Sequence, residues 1–136
     1  MQEQARGPLA LADDVIRAET GRDSASWYIM LDAGGARQLN HGQIVDLLAR
    51  VYNLDDRWAG TIAVRYEAAR AIDREVAVPA DLVAAMLFKS AARIRFEQLP
   101  RHEQRSLIFW LDETSGSERR ARISELLARL QREGSG

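Results

Sequence analysis

The stretch Leu107-Ile108-Phe109-Trp110-Leu111 is the most informative apolar run of the chain. Five consecutive apolar residues cover more than one face of a helix, so a single buried stripe does not accommodate them all. Such a helix either lies at the centre of a domain or presents a surface to a partner. The stretch therefore predicts a central or partner-binding helix in the C-terminal part of the chain.

The residues on both sides of this run predict further short helices. Downstream, Ser115-Gly116-Ser117 breaks the pattern and Ser117 is a candidate N-cap. The last helix then has apolar residues at helical spacing, at Ile123, Leu126, Leu127 and Leu130. Upstream, Pro79 opens a helix through Leu82, Val83, Met86 and Leu87, and a further turn or helix carries Ile94, Phe96 and Leu99 before Pro100.

Two helices are predicted at the N-terminal end of the chain. The first begins at Pro8 or Leu9 and ends at about Glu19, because proline suits a first helical turn and Gly21 suits a left-handed exit. The second begins at Ser24 as its N-cap. It ends at Gly34-Gly35, where glycine accepts a positive φ at low cost.

Two more helices follow before the middle of the chain. Asn40 is a candidate cap for the third, which ends at Asn53 and whose apolar face is formed by Ile44, Leu47, Leu48 and Val51. Asp55 is a candidate cap for the fourth, which reaches Asp73 or Arg74. Its apolar residues stack about four apart, at Trp58, Ile62, Tyr66 and Ala69.

The segment from Glu75 to Val78 is expected to be extended, because the residue before a proline avoids the helical region. We place a boundary there. The sequence thus predicts an all-α fold, a compact bundle of about six to eight short helices in two small helical units, residues 1–78 and 79–136.

The composition limits the classes of function. The 136 residues include 19 basic and 20 acidic side chains and no cysteine. A net charge of −1 provides no general attraction to nucleic acids or membrane surfaces. The lack of cysteine excludes disulfides, thiol nucleophiles and cysteine zinc sites, and it is typical of the reducing cytoplasm.

Membrane insertion and export are not expected. The longest uninterrupted apolar run, from Leu82 to Phe88, has seven residues, whereas a membrane-spanning helix needs about 20. The first residues lack the basic start and apolar middle of a secretory signal. We therefore expect a cytoplasmic protein that makes no membrane contact.

Candidate groups for catalysis are few. His41 and His102 are the two histidines, both at predicted helix starts, and no metal-binding, nucleophile or phosphate-loop motif accompanies them. We expect no catalytic residue, cofactor, metal ion or small-molecule substrate. The alternative of a small enzyme built around His102 and neighbouring carboxylates stays open.

A nucleic-acid interface is a second hypothesis. Residues 40–74 have the size of a helix-turn-helix unit, in which Arg57, Thr61 and Arg65 form a stripe beside the apolar face and would face DNA. However, residues 1–78 contain twelve acidic and nine basic side chains, a net charge of −3. Because DNA-binding modules usually carry a basic surface, structural packing is the favoured interpretation of the stripe.

Candidate contacts for a partner or an anion lie in the second half of the chain, at His102, Arg105, Trp110, Arg119, Arg120 and Arg122. Residues 79–136 contain ten basic and eight acidic side chains, a net charge of +2. The pair Glu118 and Arg122 has the acid-first i, i+4 order of an ordinary solvated helix, which favours a structural role for these charges.

The first half of the chain contains a recognisable pattern over residues 12–74. It consists of Thr20-Gly21-Arg22, Trp27, Asn40-His41-Gly42-Gln43-Ile44-Val45, Trp58-Ala59 and Tyr66-Glu67-Ala68-Ala69-Arg70. The pattern resembles a family of small uncharacterised bacterial helical domains. The resemblance implies a helical fold and specifies no reaction. Where that family has a His-Gly pair after the third helix, this chain has Tyr52-Asn53, in which Asn53 takes the left-handed position.

A second pattern extends from Asp81 to Glu133. It consists of Phe96, Leu99, Pro100, His102, Arg105, Trp110, Leu111, Glu118, Arg120, Arg122 and Ile123. The pattern resembles the bacteriocin-protection, YdeI or OmpD-associated, family. The resemblance implies a helical fold and a role in stress or bacteriocin protection, and it transfers no catalytic residue.

Together these features predict a non-enzymatic bacterial protein that acts by association with a protein partner or with a second copy of itself. Binding to DNA through residues 40–74 is the alternative.

Overall fold

The computed structural model describes residues 7–72 and 75–135 and divides the chain into two compact units, Met1–Asp73 and Arg74–Gly136. Within those described ranges there are eight α-helices and no β-strand. The predicted all-α fold class is therefore confirmed.

Four helices form the N-terminal unit: α1 (Asp13–Thr20), α2 (Ser24–Ala33), α3 (His41–Arg50) and α4 (Asp56–Ala69). Two short 3-10 turns, Gly7–Ala10 and Ala36–Gln38, lie between or before them. Helix α4 is the central element, because it packs against α2, α3 and the first turn. The core of this unit is formed by Ile16, Trp27, Leu31, Ala36, Ile44, Leu48, Ala59, Ile62, Ala63 and Tyr66.

The start of the chain differs from the prediction of one helix from Pro8 to Glu19. The first turn ends at Ala10, and α1 begins only at Asp13. Asp13 and Asp14 stand in the first turn of α1, where carboxylates are favourable beside the helix dipole. The exit at Gly21 is as predicted, with a φ of 84°.

The caps follow the sequence closely, with one correction. Asp23, rather than Ser24, caps α2, because its side chain accepts a hydrogen bond from the Ser26 backbone N–H. Asn40 caps α3 in a reciprocal arrangement in which its side chain accepts from Gln43 N and its backbone N–H donates to Gln43 Oε1. Asp55 caps α4 through Trp58 N.

Helix α3 ends at Arg50, three residues before the predicted end at Asn53, and its C-cap is Val51 in a right-handed conformation. Asn53 has a φ of 60°, the left-handed conformation expected for it. Helix α4 ends at Ala69 with Arg70 as its C-cap, so it is shorter than predicted. The predicted end points, Asp73 and Arg74, lie outside the described residues.

The capping box of α3 makes a testable prediction. Asn40→Ala is expected to lower the free energy of unfolding of the N-terminal unit by about 1 kcal/mol, because the Gln43 backbone N–H loses its acceptor, the Asn40 side chain. Urea unfolding followed by circular dichroism measures the change. Gln38→Ala, at an exposed position outside the box, is the control, and an equal loss in both variants would contradict the role of the cap.

Four more helices form the C-terminal unit: α5 (Ala80–Met86), α6 (Ser90–Gln98), α7 (Arg101–Asp112) and α8 (Gly116–Ser135). The longest, α8, begins at Gly116 instead of after Ser117 and packs along α5, α6 and α7. The core of this unit is formed by Leu82, Met86, Ala92, Phe96, Leu99, Leu107, Ile108, Leu111, Ile123, Leu126, Leu127 and Leu130.

The run of residues 107–111 lies at the centre of this second core. Leu107, Ile108 and Leu111 are buried, whereas Phe109 and Trp110 are half-buried. Burial on more than one side of α7 is possible because α8 packs along it. The run is therefore mainly a core element of its own unit.

The extended segment before α5 belongs with the C-terminal unit. Val76 and Val78 are partly buried against its core, and Arg105 Nη2 donates a hydrogen bond to the Glu75 carbonyl at 3.2 Å. The structure therefore divides between Asp73 and Arg74, ahead of the segment, whereas the sequence placed the boundary after it, at residues 78 and 79.

Candidate functional site

The predicted nucleic-acid stripe on α4 does not form one exposed surface. Arg57 is exposed, but Thr61 is only 2% exposed and its hydroxyl donates to the Arg57 carbonyl at 2.9 Å. Arg65 is turned into the fold, and its side chain is 14% exposed. Of the three residues, the structure leaves Arg57 alone as an exposed cation on this stripe.

Arg65 ties together three segments of the N-terminal unit. Its Nη1 donates to the carbonyls of Pro8 and Leu11, both at 2.9 Å. Its Nε and Nη2 donate to Ser24 Oγ at 3.3 and 3.1 Å. The guanidinium thus fixes the first turn and the start of α2 against α4, which is a structural role that the sequence did not reveal.

Arg119, in the predicted arginine cluster on α8, is neutralised by nearby acids. Arg119 Nε lies 2.7 Å from Asp81 Oδ2, and its Nη1 lies 2.8 Å from Asp112 Oδ1. The hydrogen bond from Arg119 lowers the pKa of Asp81. Arg119 therefore connects α5, α7 and α8 and leaves little positive charge to attract an anion.

Arg122 also belongs to the fold of the C-terminal unit. Its guanidinium lies 4.8 Å from the centre of the Trp110 ring and donates to the Trp110 carbonyl at 2.6 Å. Glu113 Oε1 is 3.4 Å away. Among the other predicted contacts, Arg120 is exposed, and Arg105 and His102 are half-buried. The structure does not gather these residues into one positive cleft.

A buried acid and a histidine meet between α3 and α4. His41 Nδ1 lies 2.6 Å from Glu67 Oε1, and the side chains are 26% and 3% exposed. Glu67 was missed in the sequence, although its spacing from Ala63 and Val64 places it on the buried face of α4. A buried carboxylate needs a partner, and the pair fixes the start of α3 against α4.

A second polar cluster lies on the N-terminal unit, around Asp32. Tyr66 Oη donates to Asp32 Oδ1 at 2.7 Å, and Arg70 Nη2 lies 2.7 Å from Asp32 Oδ2. The hydrogen bond from Arg70, followed by that from Tyr66, lowers the pKa of Asp32. Burial, together with the neighbouring carboxylate, raises the pKa of Tyr66 to about 12. These groups bind one another and leave no evident site for a ligand.

The clearest unpartnered feature of the C-terminal unit is apolar. Phe88, in the link between α5 and α6, is 95% exposed. Val83, Leu87 and Ile94 are also large apolar residues that face solvent. We call these four residues the Phe88 surface. Contiguous apolar surface is typical of an interaction site, and Val83 and Leu87 line the same groove.

An open groove of about 200 Å³ is lined in part by two residues of the Phe88 surface, Val83 and Leu87. Its apolar lining is formed by Val78, Val83, Met86, Leu87 and Phe96, and its polar lining by Arg93, Glu97 and Gln104. Sites for drug-sized ligands begin at about 300 Å³. The groove is therefore better matched to a single side chain than to a cofactor.

In residues 7–72 and 75–135, no three histidine or acidic side chains converge to hold a metal ion. No helix in those ranges combines the length and hydropathy that a membrane span requires.

No curated protein and no solved structure is similar enough to this chain to count as a match. The pattern in residues 12–74 therefore remains a predicted resemblance. Residues 75–133 match the model of the family described as Bacteriocin-protection, YdeI or OmpD-Associated. The resemblance predicted for Asp81 to Glu133 is thus confirmed, and the C-terminal half of the chain is similar to that family.

Proposed function

We propose that the protein acts by associating with protein, without catalysis, and that the Phe88 surface provides the contact. The single observation that supports this is the 95% exposure of Phe88, whose neighbour in the chain, Leu87, lines an apolar groove. The predicted partner contacts on α7 and α8 support the proposal less well, because Arg119 and Arg122 bind groups of their own unit.

The energetics favour the Phe88 surface over the other exposed side chains. Complete burial of a phenylalanine contributes about 1.5 to 3 kcal/mol, and aromatic residues at the centre of an interface often dominate its binding energy. The same side chain contributes little to the unit's own core while it stays in water. Its role is therefore better explained by binding than by folding.

The family match provides a biological context for this proposal. The family that matches residues 75–133 is described by bacteriocin protection. We propose that association through the Phe88 surface serves a protective role of that kind in the bacterial cytoplasm. In this proposal the protein acts by occupying a partner, so it needs no reactive group.

A photo-reactive residue at position 89 tests the proposed function. Lys89 is exposed next to Phe88, so the probe lies at the edge of the proposed contact. We expect irradiation of the full chain in native lysate to produce a protein adduct. The adduct should disappear when Phe88→Ser is combined with the probe, since the contact depends on that ring.

The control probe replaces Ile29, an exposed apolar residue of α2. Equal adducts from positions 29 and 89 would indicate non-specific trapping. An adduct at position 89 that persists unchanged in the Phe88→Ser chain would contradict the proposed contact, as would no adduct at all.

A further inference from the structure

We infer that the partner of the Phe88 surface is a second copy of this chain, in a symmetric dimer where each Phe88 enters the groove of the other copy. The inference rests on the proposed function and makes it more specific. It is carried by the adjacency of a protruding ring and a recess, and by the charges that border the recess.

The first argument is complementarity of shape. Phe88 projects from the α5–α6 link, and Leu87, its neighbour in the chain, lines the groove. One surface thus carries both a protruding ring and an apolar recess of about 200 Å³. A two-fold axis pairs such a surface with itself, because residue i of one copy contacts residue j of the other and the reverse contact follows.

The second argument is complementarity of charge. Arg93 and Glu97 lie at the edge of the groove, both exposed and one turn apart on α6. A two-fold axis at right angles to α6, level with Arg95, sets the two copies of α6 antiparallel. Each Arg93 then stands opposite Glu97 of the second copy, so opposite charges meet twice at the interface.

The third argument concerns what the dimer covers. Ile94 lies beside Arg93 on α6 and is exposed in the single chain. The antiparallel arrangement brings it toward its counterpart, as it brings Val83 and Leu87 toward the ring of the second Phe88. The proposed dimer thus covers apolar side chains that the single chain leaves in water, and desolvation of this kind drives association.

Light scattering and sedimentation of the purified full chain test the inference. We expect the mass to change from one to two chains as concentration rises. Phe88→Ser should weaken the dimer at least about tenfold, because truncation of a central aromatic residue commonly has an effect of this size or larger. The matched control Ile29→Ser, at an exposed apolar position in α2, should leave the dimer unchanged.

Charge reversal distinguishes this geometry from other forms of association. Arg93→Glu and Glu97→Arg should each weaken self-association, since like charges then face each other across the axis. An equimolar mixture of the two variants should associate again as a heterodimer, because opposite charges are restored in both contacts. If the two substitutions weakened self-association only by distorting α6 within each chain, mixing the variants would not restore it.

A chain that stays monomeric at every concentration would overturn the inference, as would a dimer that Phe88→Ser leaves intact or charge-reversed variants that mixing does not rescue. The probe at position 89 separates this failure from failure of the proposed function. If the chain is monomeric but forms a Phe88-dependent adduct with a different protein, the dimer is contradicted. The proposed association with protein then still stands.

Discussion

Arg65→Met is expected to lower the free energy of unfolding of the N-terminal unit by about 2 to 3 kcal/mol, because partly buried acceptors lose a charged donor. The arginine donates to the carbonyls of Pro8 and Leu11 and to the hydroxyl of Ser24. Methionine keeps an unbranched apolar side chain but provides no N–H group. Hydrogen exchange measured peptide by peptide reports the change separately for each unit.

Arg57→Met is the matched control for this prediction. It makes the same substitution on the same helix, at an exposed position, so we expect a change of no more than about 0.5 kcal/mol. The pair also tests the DNA hypothesis. A protein that uses this stripe to bind DNA would lose salt-sensitive duplex binding in both variants, and equal stability of the two folds would contradict the structural role of Arg65.

Leu111→Ala is expected to lower the free energy of unfolding of the C-terminal unit by about 2 to 5 kcal/mol, because truncation of a buried leucine leaves a cavity. Leu111, a residue of α7, is completely buried in the core of the C-terminal unit. The sequence left open whether the run of residues 107–111 lies in the core or binds a partner. Urea unfolding, followed by exchange of the α7 and α8 amides, measures the loss.

Leu87→Ala is the control for the second prediction. Leu87 is 58% exposed in the same unit, so the same substitution should change stability by no more than about 0.5 kcal/mol in dilute protein. In concentrated protein it should weaken the dimer instead. If Leu111→Ala left the unit stable and abolished association, the run would be an interface and our interpretation of the core would be wrong.

Several features of the fold were predictable because they depend on residues only a few positions apart. Asn40 and Gln43 form their capping box within a single turn. Gly21 takes a left-handed conformation at low cost because it has no Cβ, and Asn53 takes one because a short polar side chain tolerates it. The apolar spacing of α8 likewise predicted the burial of Leu126 and Leu130.

The candidate site was less predictable, because its exposure depends on neighbouring elements. Val51 and Leu48 belong to the same predicted apolar face, yet Leu48 is buried and Val51 is exposed. Leu87 and Ile94 fit helical patterns as well as core residues do, but neither is covered by another element. Periodicity indicates which side chains favour burial, and it does not indicate whether a neighbouring helix covers them.

The sequence by itself determined the all-α class, the caps of α3 and α4, the exits of α1 and α2, and the similarity of the C-terminal half to the bacteriocin-protection family. Only the tertiary structure decided that Arg65 points inward, that His41 pairs with Glu67, and that Phe88 stays in water. The physical reason is the distance along the chain over which each interaction acts. Caps and turns are stabilised within one or two turns of backbone, whereas burial and ion pairing require segments that lie far apart in the chain to pack together.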